Sequence, residues 1–303
     1  MRRVRLALAA LWLTGLVLGS ISERSIATSR SVPSTSSGKI YDGFQVLSAD
    51  LHVHSFPGDG ALPPWALASE ARRRGLDIIA LTNHNQMLSW TLTNWFASRS
   101  QGVLLLPGEE VTTPKFHMGA VGVQRTVGWD RSARTVAAAV HAAGGVAIAA
   151  HPDNEAARAI DGAFADIDGV ESAHPVRHVN DKSSRELDAS VARALAEHPG
   201  IAQIGSSDFH YLAPIGLCRT YIFARDMTIR SVLEAIHAGR TVACDGRGRT
   251  YGDPHLALAV GEACRAAATA KPNLHGQLNR IAVLCAWLGA FGLTLAGPRR
   301  AIE

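Results

Sequence analysis

Apolar residues in this chain cluster in short runs, and the runs end on one chemical kind of residue. Seven such runs lie between residues 47 and 210. The first ends Asp50-Leu51-His52-Val53-His54-Ser55, with Asp59 close behind. Ile78 to Leu81 runs into Thr82-Asn83-His84, and Val103 to Leu106 runs into Gly108-Glu109-Glu110. His117 opens the fourth run, His151 closes Val146 to Ala150, and Glu171 and His174 mark the sixth. Ile201 to Ile204 leads into Ser206-Ser207-Asp208-Phe209-His210. Runs of this length read as buried strands. Helical signals separate several of them. Residues 63–74 have Pro near the start and Gly75 after the end; 132–143 begin on Ser132 and stop at Gly144-Gly145. Residues 181–198 carry Leu187, Val191 and Leu195 at helical spacing, and 228–238 run from Thr228 to Gly239. Caps and stops of these types bound helices. Strand and helix in alternation predict parallel strands with helical crossovers, an α/β barrel over residues 40–253. Such barrels gather their chemistry at the C-terminal ends of the strands. The His, Asp and Glu residues sit mostly at those ends.

The flanks read differently. Residues 1–20 have a basic start, Arg2-Arg3-Val4-Arg5, and then an apolar stretch. That pattern predicts a signal peptide or an N-terminal membrane anchor. Residues 21–39 are rich in Ser and Thr and read as a flexible linker. Residues 254–280 read as a weakly structured linker, and the uncharged stretch 281–297 as a C-terminal transmembrane helix or a buried core helix. If both ends insert, their basic outer flanks put the termini in the cytoplasm and the barrel outside it, in a periplasmic setting. The formal net charge of +4 is modest and partly terminal, so it does not argue for nucleic acid. Arg72-Arg73-Arg74 fits the last turn of a helix, where cations are favourable. The four cysteines form no CxxC pair, which argues against a zinc ribbon. A Cys218–Cys244 or a Cys244–Cys264 disulfide is compatible with an oxidising compartment.

Alternation along a strand puts His52 and His54 on one face, so both can reach one ion. Glu109 and Glu110 point to opposite faces, so one enters the site directly. A carboxylate can bridge two ions where an imidazole cannot. The other glutamate faces a helix or orients a ligand histidine. Asp208 and His210 repeat the two-apart spacing of the first strand. His141, His198, His237, His255 and His275 fall in helices or outside the barrel and read as structural. His174 ends the sixth strand and is a candidate for touching substrate.

The ordered set resembles the polymerase and histidinol phosphatase (PHP) superfamily, and within it the carbaryl-hydrolase-like branch. The resemblance runs from about residue 47 to about 241 and rests on five motifs. They are Asp50-Leu51-His52-Val53-His54-Ser55, Leu81-Thr82-Asn83-His84-Asn85, Pro107-Gly108-Glu109-Glu110-Val111-Thr112, His151-Pro152 and Ser207-Asp208-Phe209-His210. It implies a distorted (β/α)7 barrel and two or three divalent metal ions, Zn, Mn or Fe. It also implies a first ion on His52, His54, Glu110 and Asp208. Glu110 would bridge to a second held with His117 and His151, and a third would take Asp59, His84 and His210. Three departures stand out. Asn83 replaces an aspartate usual in the second motif, which puts the third site's affinity in question. Phe209 stands where a small residue is common, and Glu171-Ser172-Ala173-His174 differs where the branch often has Asn.

The expectation is therefore a metal-dependent hydrolase, a phosphoesterase first, with a metal-bridging hydroxide as nucleophile. Glu110 would bridge, Asp208 would move the proton and His174 would meet a small-molecule ester, phosphorylated in the leading reading. Carboxyl-ester, carbamate or amide hydrolysis is the alternative, because no glycine-rich phosphate loop is visible. Arg177, Lys182, Arg185 and Arg219 are the candidate phosphate-binding cations. A non-catalytic, membrane-tethered metal-binding ectodomain is the third reading. An amidohydrolase also opens with HxH, but it needs a carboxylated Lys or a Glu after another strand, which Gly108-Glu109-Glu110 does not match.

Overall fold

The computed structural model describes residues 2–26, 39–56, 58–60, 62–88, 90–91, 102–129, 132–175, 181–210 and 214–269, with a few positions between 284 and 292. Two sheets carry the chain. The first is ordered β12-β11-β10-β2-β3-β4, with β1 on the flank of β2. Its strands are β1 (Ile40–Tyr41), β2 (Phe44–Val53), β3 (Ile78–Leu81), β4 (Leu104–Leu106), β10 (Arg219–Ala224), β11 (Thr241–Cys244) and β12 (Thr250–Gly252). The second is ordered β5-β6-β7-β8-β9: β5 (Gly108–Thr112), β6 (His117–Val121), β7 (Val146–Ala150), β8 (Gly169–Ala173) and β9 (Ala202–Gly205).

In place of the expected distorted (β/α)7 barrel, the described strands form a seven-stranded and a five-stranded sheet that do not close into one barrel. Pro107 alone separates β4 from β5, and the sheet breaks there. At the other seam the side chain of Thr220, rather than its backbone, bonds the N–H and C=O of Gly205 at 2.9 and 2.8 Å. Gly205 is needed at that seam: a Cβ there would lie 2.2 Å from the Arg219 carbonyl oxygen. The expectation of parallel strands holds within β2-β3-β4 and β7-β8-β9. It fails for β5-β6-β7 and for β2-β10-β11-β12, which are antiparallel. The segment between β5 and β6 is too short for a crossover, which takes a dozen or more residues.

The four helices expected between strands form. They are α2 (Pro64–Arg73), α3 (Ala133–Ala142), α5 (Asp181–Glu197) and α6 (Ile229–His237). Ser132 caps α3 by accepting from the Thr135 N–H, and Thr228 caps α6 by accepting from Ser231. A further helix, α4 (Asn154–Ile160), starts on Asp153, whose carboxylate accepts from Glu155 and Ala156. The space between the sheets is filled by Leu47, Ala49, Leu51, Ile78, Ile148 and Ile222, among others. A second core lies under α3 and α5, around Val136, Val140, Phe164 and Leu187. Together they hold the two sheets at a fixed distance, so that the strand ends can converge.

The terminal readings change. Residues 254–269 form helix α7 (Pro254–Thr269), not part of a weakly structured linker. Val260 and Cys264 bury themselves against Val46, Tyr221, Phe223 and Val242, and a Cys244–Cys264 disulfide ties α7 to β11. Of the two pairings allowed by the sequence, this is the one formed; Cys218 is free and buried. Residues 2–20 lie in α1 (Arg2–Ile26), which also takes in residues 21–26 of the expected linker. Its Trp12 ring packs 5.0 Å from that of Phe56, and a Cβ on Gly289 would collide with Trp12. Among the described residues no helix is long and apolar enough to cross a membrane, so the signal, anchor and transmembrane expectations gain no support. Most of 281–297 and all of 270–280 lie outside the described residues, as does most of the linker 21–39.

Candidate metal centre

His52 lies near the end of β2 and His54 just past it. Their Nε2 atoms approach to 3.0 Å, closer than two ring N–H groups can come. Facing them are Glu110 Oε2 on β5, at 3.5 and 3.4 Å, and Asp208 Oδ1 after β9, at 3.3 and 3.4 Å. Both carboxylate oxygens are buried without a hydrogen bond. Buried acceptors left in this way are rare unless something cationic belongs between them. These five distances span 3.0–3.5 Å. Atoms about 3.3 Å apart can each lie about 2.0 Å from one ion, the bond length of zinc to His and carboxylate ligands. The donor set fits a divalent ion.

Glu110 turns its other oxygen outward. Oε1 lies 2.8 Å from His117 Nδ1 and 3.2 Å from His151 Nε2. The position of His117 follows from strand direction. Because β6 runs antiparallel to both neighbours, its first residue pairs with Thr112 and Ala150, at the ends of β5 and β7. A third group forms around Asp59. Its Oδ1 lies 2.9 Å from His54 Nδ1, and its Oδ2 lies 3.0 Å from His210 Nε2 and 3.1 Å from His84 Nε2. His84 Nδ1 also reaches Glu110 Oε2 at 2.6 Å. The nine residues singled out as ligands, His52, His54, Asp59, His84, Glu110, His117, His151, Asp208 and His210, thus form one continuous cluster. His54 belongs to two groups, through opposite sides of its ring. His174 is buried, with Nε2 3.5 Å from Asp208 Oδ2.

The charges in the cluster hold one another. Burial alone would raise the Glu110 and Asp208 carboxyls, but the neighbouring imidazoles, His52 foremost, hold both well below the usual carboxylate range. Burial alone would lower His54, but Asp208, Asp59 and Glu110 hold its imidazolium up at about 10. His84 is held up at about 9 by Asp59 and Glu110 against the same opposing burial.

The backbone is strained at the same place. His151 and Asp208 adopt left-handed φ values of 28° and 48°. Each such conformation costs roughly 1–3 kcal/mol and persists only where its surroundings enforce it.

Several neighbours of the cluster were given no role, or a different one, by the sequence. The amide of Asn83 bonds the Ser55 backbone. Its Oδ1 accepts from Ser55 N–H at 2.7 Å and its Nδ2 donates to Ser55 C=O at 2.9 Å. An aspartate could accept but not donate there, so Asn83 holds the Ser55 backbone in both directions. The turn beyond is tight: a Cβ on Gly60 would lie 2.1 Å from the His54 carbonyl oxygen. Glu109 points away from the cluster and accepts from Val127 N–H; burial pushes its carboxyl up to about 7. Among the described residues it orients no ligand histidine, the second of the two roles expected for it. Asp50 accepts from the backbone of Ser207 and Gly216, tying the first strand to the Asp208 segment, and burial raises it to about 6. Its place four residues before His54 was visible in the sequence, but its partners, over 150 residues away, were not. Arg219, a candidate phosphate ligand, is 4% exposed and donates to the carbonyls of Gly216 and Arg74 instead.

Comparison with known proteins agrees with this architecture. A family model described as PHP-associated matches residues 189–241, the stretch that holds Asp208 and His210. An uncharacterized protein of Methanocaldococcus jannaschii is 27% identical over 139 residues, covering 41% of this chain and 80% of its own. Among solved structures, a two-domain Bacteroides vulgatus protein containing a predicted PHP-like metal-dependent phosphoesterase superposes with a TM-score of 0.58. It is 21% identical and covers 74% of this chain and 71% of its own. A protein from Bifidobacterium adolescentis, named as a proposed metal-dependent phosphoesterase, has a TM-score of 0.46 at 20% identity, covering 62% of this chain and 96% of its own. The family match covers a PHP-associated segment, and the likeness to the Bacteroides protein is one of fold. They do not extend to the carbaryl-hydrolase-like branch.

Proposed function

We propose that this protein is a metal-dependent hydrolase of small-molecule esters, phosphoesters first, using two or three divalent ions such as Zn, Mn or Fe. One observation carries the reading: the Nε2 atoms of His52 and His54 lie 3.0 Å apart, and each is 3.3–3.5 Å from a buried oxygen of Glu110 and a buried oxygen of Asp208. His52, His54, Glu110 and Asp208 would hold the first ion, Glu110 with His117 and His151 the second, and Asp59, His84 and His210 the third. Bound ions of this kind supply an activated water at neutral pH and polarise the scissile oxygen.

The chain's own residues do the rest. Glu110 presents both oxygens to different pockets and so fixes their separation. Asp208 offers Oδ1 to the first pocket, while Oδ2 faces His174 at 3.5 Å, a route for a proton toward the leaving group. His174 lies beside that carboxylate, where it can meet the substrate. The Bacteroides protein's description favours phosphoesters. The withdrawal of Arg219 from the mouth favours keeping carboxyl-ester or carbamate hydrolysis as the second reading. Lys182 and Arg185 lie on α5, where Lys182 is exposed beside Glu186, and Arg177 lies outside the described residues. The Cys244–Cys264 disulfide supports placing the domain in an oxidising compartment.

The test is turnover by the full-length protein loaded with Mn or Zn. Substrates are an aryl phosphate monoester, a diester, a carboxyl ester and a carbamate, with a His52→Ala/His54→Ala double variant as control. Turnover of a phosphoester that chelator removes and metal restores is expected, and the double variant should show none. Bound metal with no turnover of any class would reduce the protein to a binding domain.

A further inference from the structure

Glu171 sits on β8 and is 1% exposed, yet none of the ligand groups needs it. Its two oxygens serve two different strands. Oε1 lies 2.9 Å from His52 Nδ1, and Oε2 accepts the backbone N–H of His151 at 2.7 Å. The peptide N–H is always a donor. His52 Nδ1 can donate only in the tautomer, or charge state, that carries its proton there. With the proton on Nδ1, a neutral ring keeps its lone pair on Nε2. Nε2 is the atom that faces His54, Glu110 and Asp208. The second bond acts on a residue in a strained conformation. His151 has a φ of 28°, and its Nε2 lies 3.2 Å from Glu110 Oε1, in the second pocket. One carboxylate therefore spans an imidazole of the first pocket and the backbone that carries an imidazole of the second.

We propose that Glu171 is a positioning residue that sets the His52 tautomer and holds the His151 strand end, preparing both pockets for divalent ions together. This rests on the metal-dependent reading above. His54 is arranged differently: its Nδ1 faces Asp59, a member of the third group, so its orientation depends on a residue with a second task. Glu171→Gln isolates the role. A glutamine keeps the shape but has one acceptor for two donors. Whichever donor its oxygen serves, its NH2 group faces the other.

The experiment uses the full-length wild type and Glu171→Gln. Zinc is titrated by calorimetry against a competing chelator, with thermal melting followed by circular dichroism to show that the variant is folded. The expected result is a loss of about 10- to 100-fold in zinc affinity in both of the first two pockets, the usual effect of removing a partner of a ligand histidine. Nitrogen-15 histidine spectra of the zinc-loaded wild type should show His52 protonated at Nδ1 and not at Nε2. Unchanged zinc affinity and stoichiometry in folded Glu171→Gln would overturn the proposal, as would a His52 ring protonated at Nε2. Should the variant fail to fold, the wild-type spectrum decides alone. A wild type that takes up no zinc and no manganese would instead refute the metal-dependent reading itself.

Discussion

Among the described residues, two clusters join several imidazoles to buried carboxylate, and one of them has the features of a metal centre. Away from the mouth, Asp168 stands just before β8 with a 3% exposed side chain. His141 Nε2 approaches its Oδ2 at 2.7 Å, His237 Nδ1 approaches its Oδ1 at 2.6 Å, and the Ala147 N–H donates to Oδ2. Each oxygen has a donor, and the two histidines are partly open to water. That cluster is complete as it stands: one buried carboxylate satisfied by its neighbours, holding α3 and α6 to β7 and β8. At the mouth the balance is reversed. Several carboxylate oxygens face one another's imidazoles, two of them lack a hydrogen bond, and two ring nitrogens crowd together. Counting histidines and carboxylates does not tell the two apart. Unmet acceptors beside closely spaced ring nitrogens do.

The largest test of that contrast is Glu110→Gln. It removes the charge shared between two pockets, so uptake of the first two ions should fail. Turnover should drop by about 1000-fold or more, since bound metal supplies several kcal/mol of transition-state stabilisation. Metal analysis of the purified variant beside its steady-state kinetics checks this. Retention of both ions would mean that the pockets are not joined through Glu110.

A smaller effect is expected from pH. In the metal-free protein His54 and His84 are held up at about 10 and about 9. Raised values mean that the stability these rings contribute is fully present below their ordinary value near 6.5 and is lost as pH rises through about 9 to 10. A divalent ion takes the unprotonated ring. Metal uptake at pH 7 should therefore release protons, and affinity should rise about tenfold per pH unit for each proton released. Calorimetry in buffers of different ionisation enthalpy counts them, and a count of zero would contradict the charge balance described for the cluster.

The smallest effect belongs to the other cluster. Asp168→Asn leaves a buried site with too few acceptors and should cost about 1–3 kcal/mol of stability. Metal stoichiometry and kcat should be those of the wild type. A variant that loses metal as well as stability would erase the distinction drawn between the two ends.

Much of this was legible in the chain before any coordinates. The four principal helices could be read because caps, stops and apolar periodicity are local signals: Ser132, Thr228, Gly75 and Gly239 act on residues beside them. Most residues of the cluster could be marked because they lie at or just past the ends of apolar runs, where side chains of different strands can meet; the full set of nine came from the family resemblance. The role of Asn83 was misjudged because its chemistry depends on its partner. Set beside an aspartate it looked like a lost charge, but against the Ser55 backbone it is an amide that must both donate and accept. The short tail after Pro254 was read as loose because Ala-rich sequence has a weak pattern, whereas Val260 and Cys264 find their place only against β10 and β11.

The sequence by itself determined much of the inventory: the strand-like runs between residues 47 and 210, the four helices that cap and stop signals marked, and which side chains have ligand chemistry. Those properties follow from neighbours within a few positions along the chain. Only the tertiary structure decided the connections. It opened the barrel at Pro107 and Gly205 and reversed β6, so that the start of that strand, with His117, arrives at the mouth. It also separated the complete carboxylate at Asp168 from the incomplete ones at Glu110 and Asp208. The reason is physical. A hydrogen bond or an ion site is a relation between atoms brought within about 3 Å, and for Asp50 with Gly216 or His52 with Glu171 that distance is set by the packing of strands more than 100 residues apart.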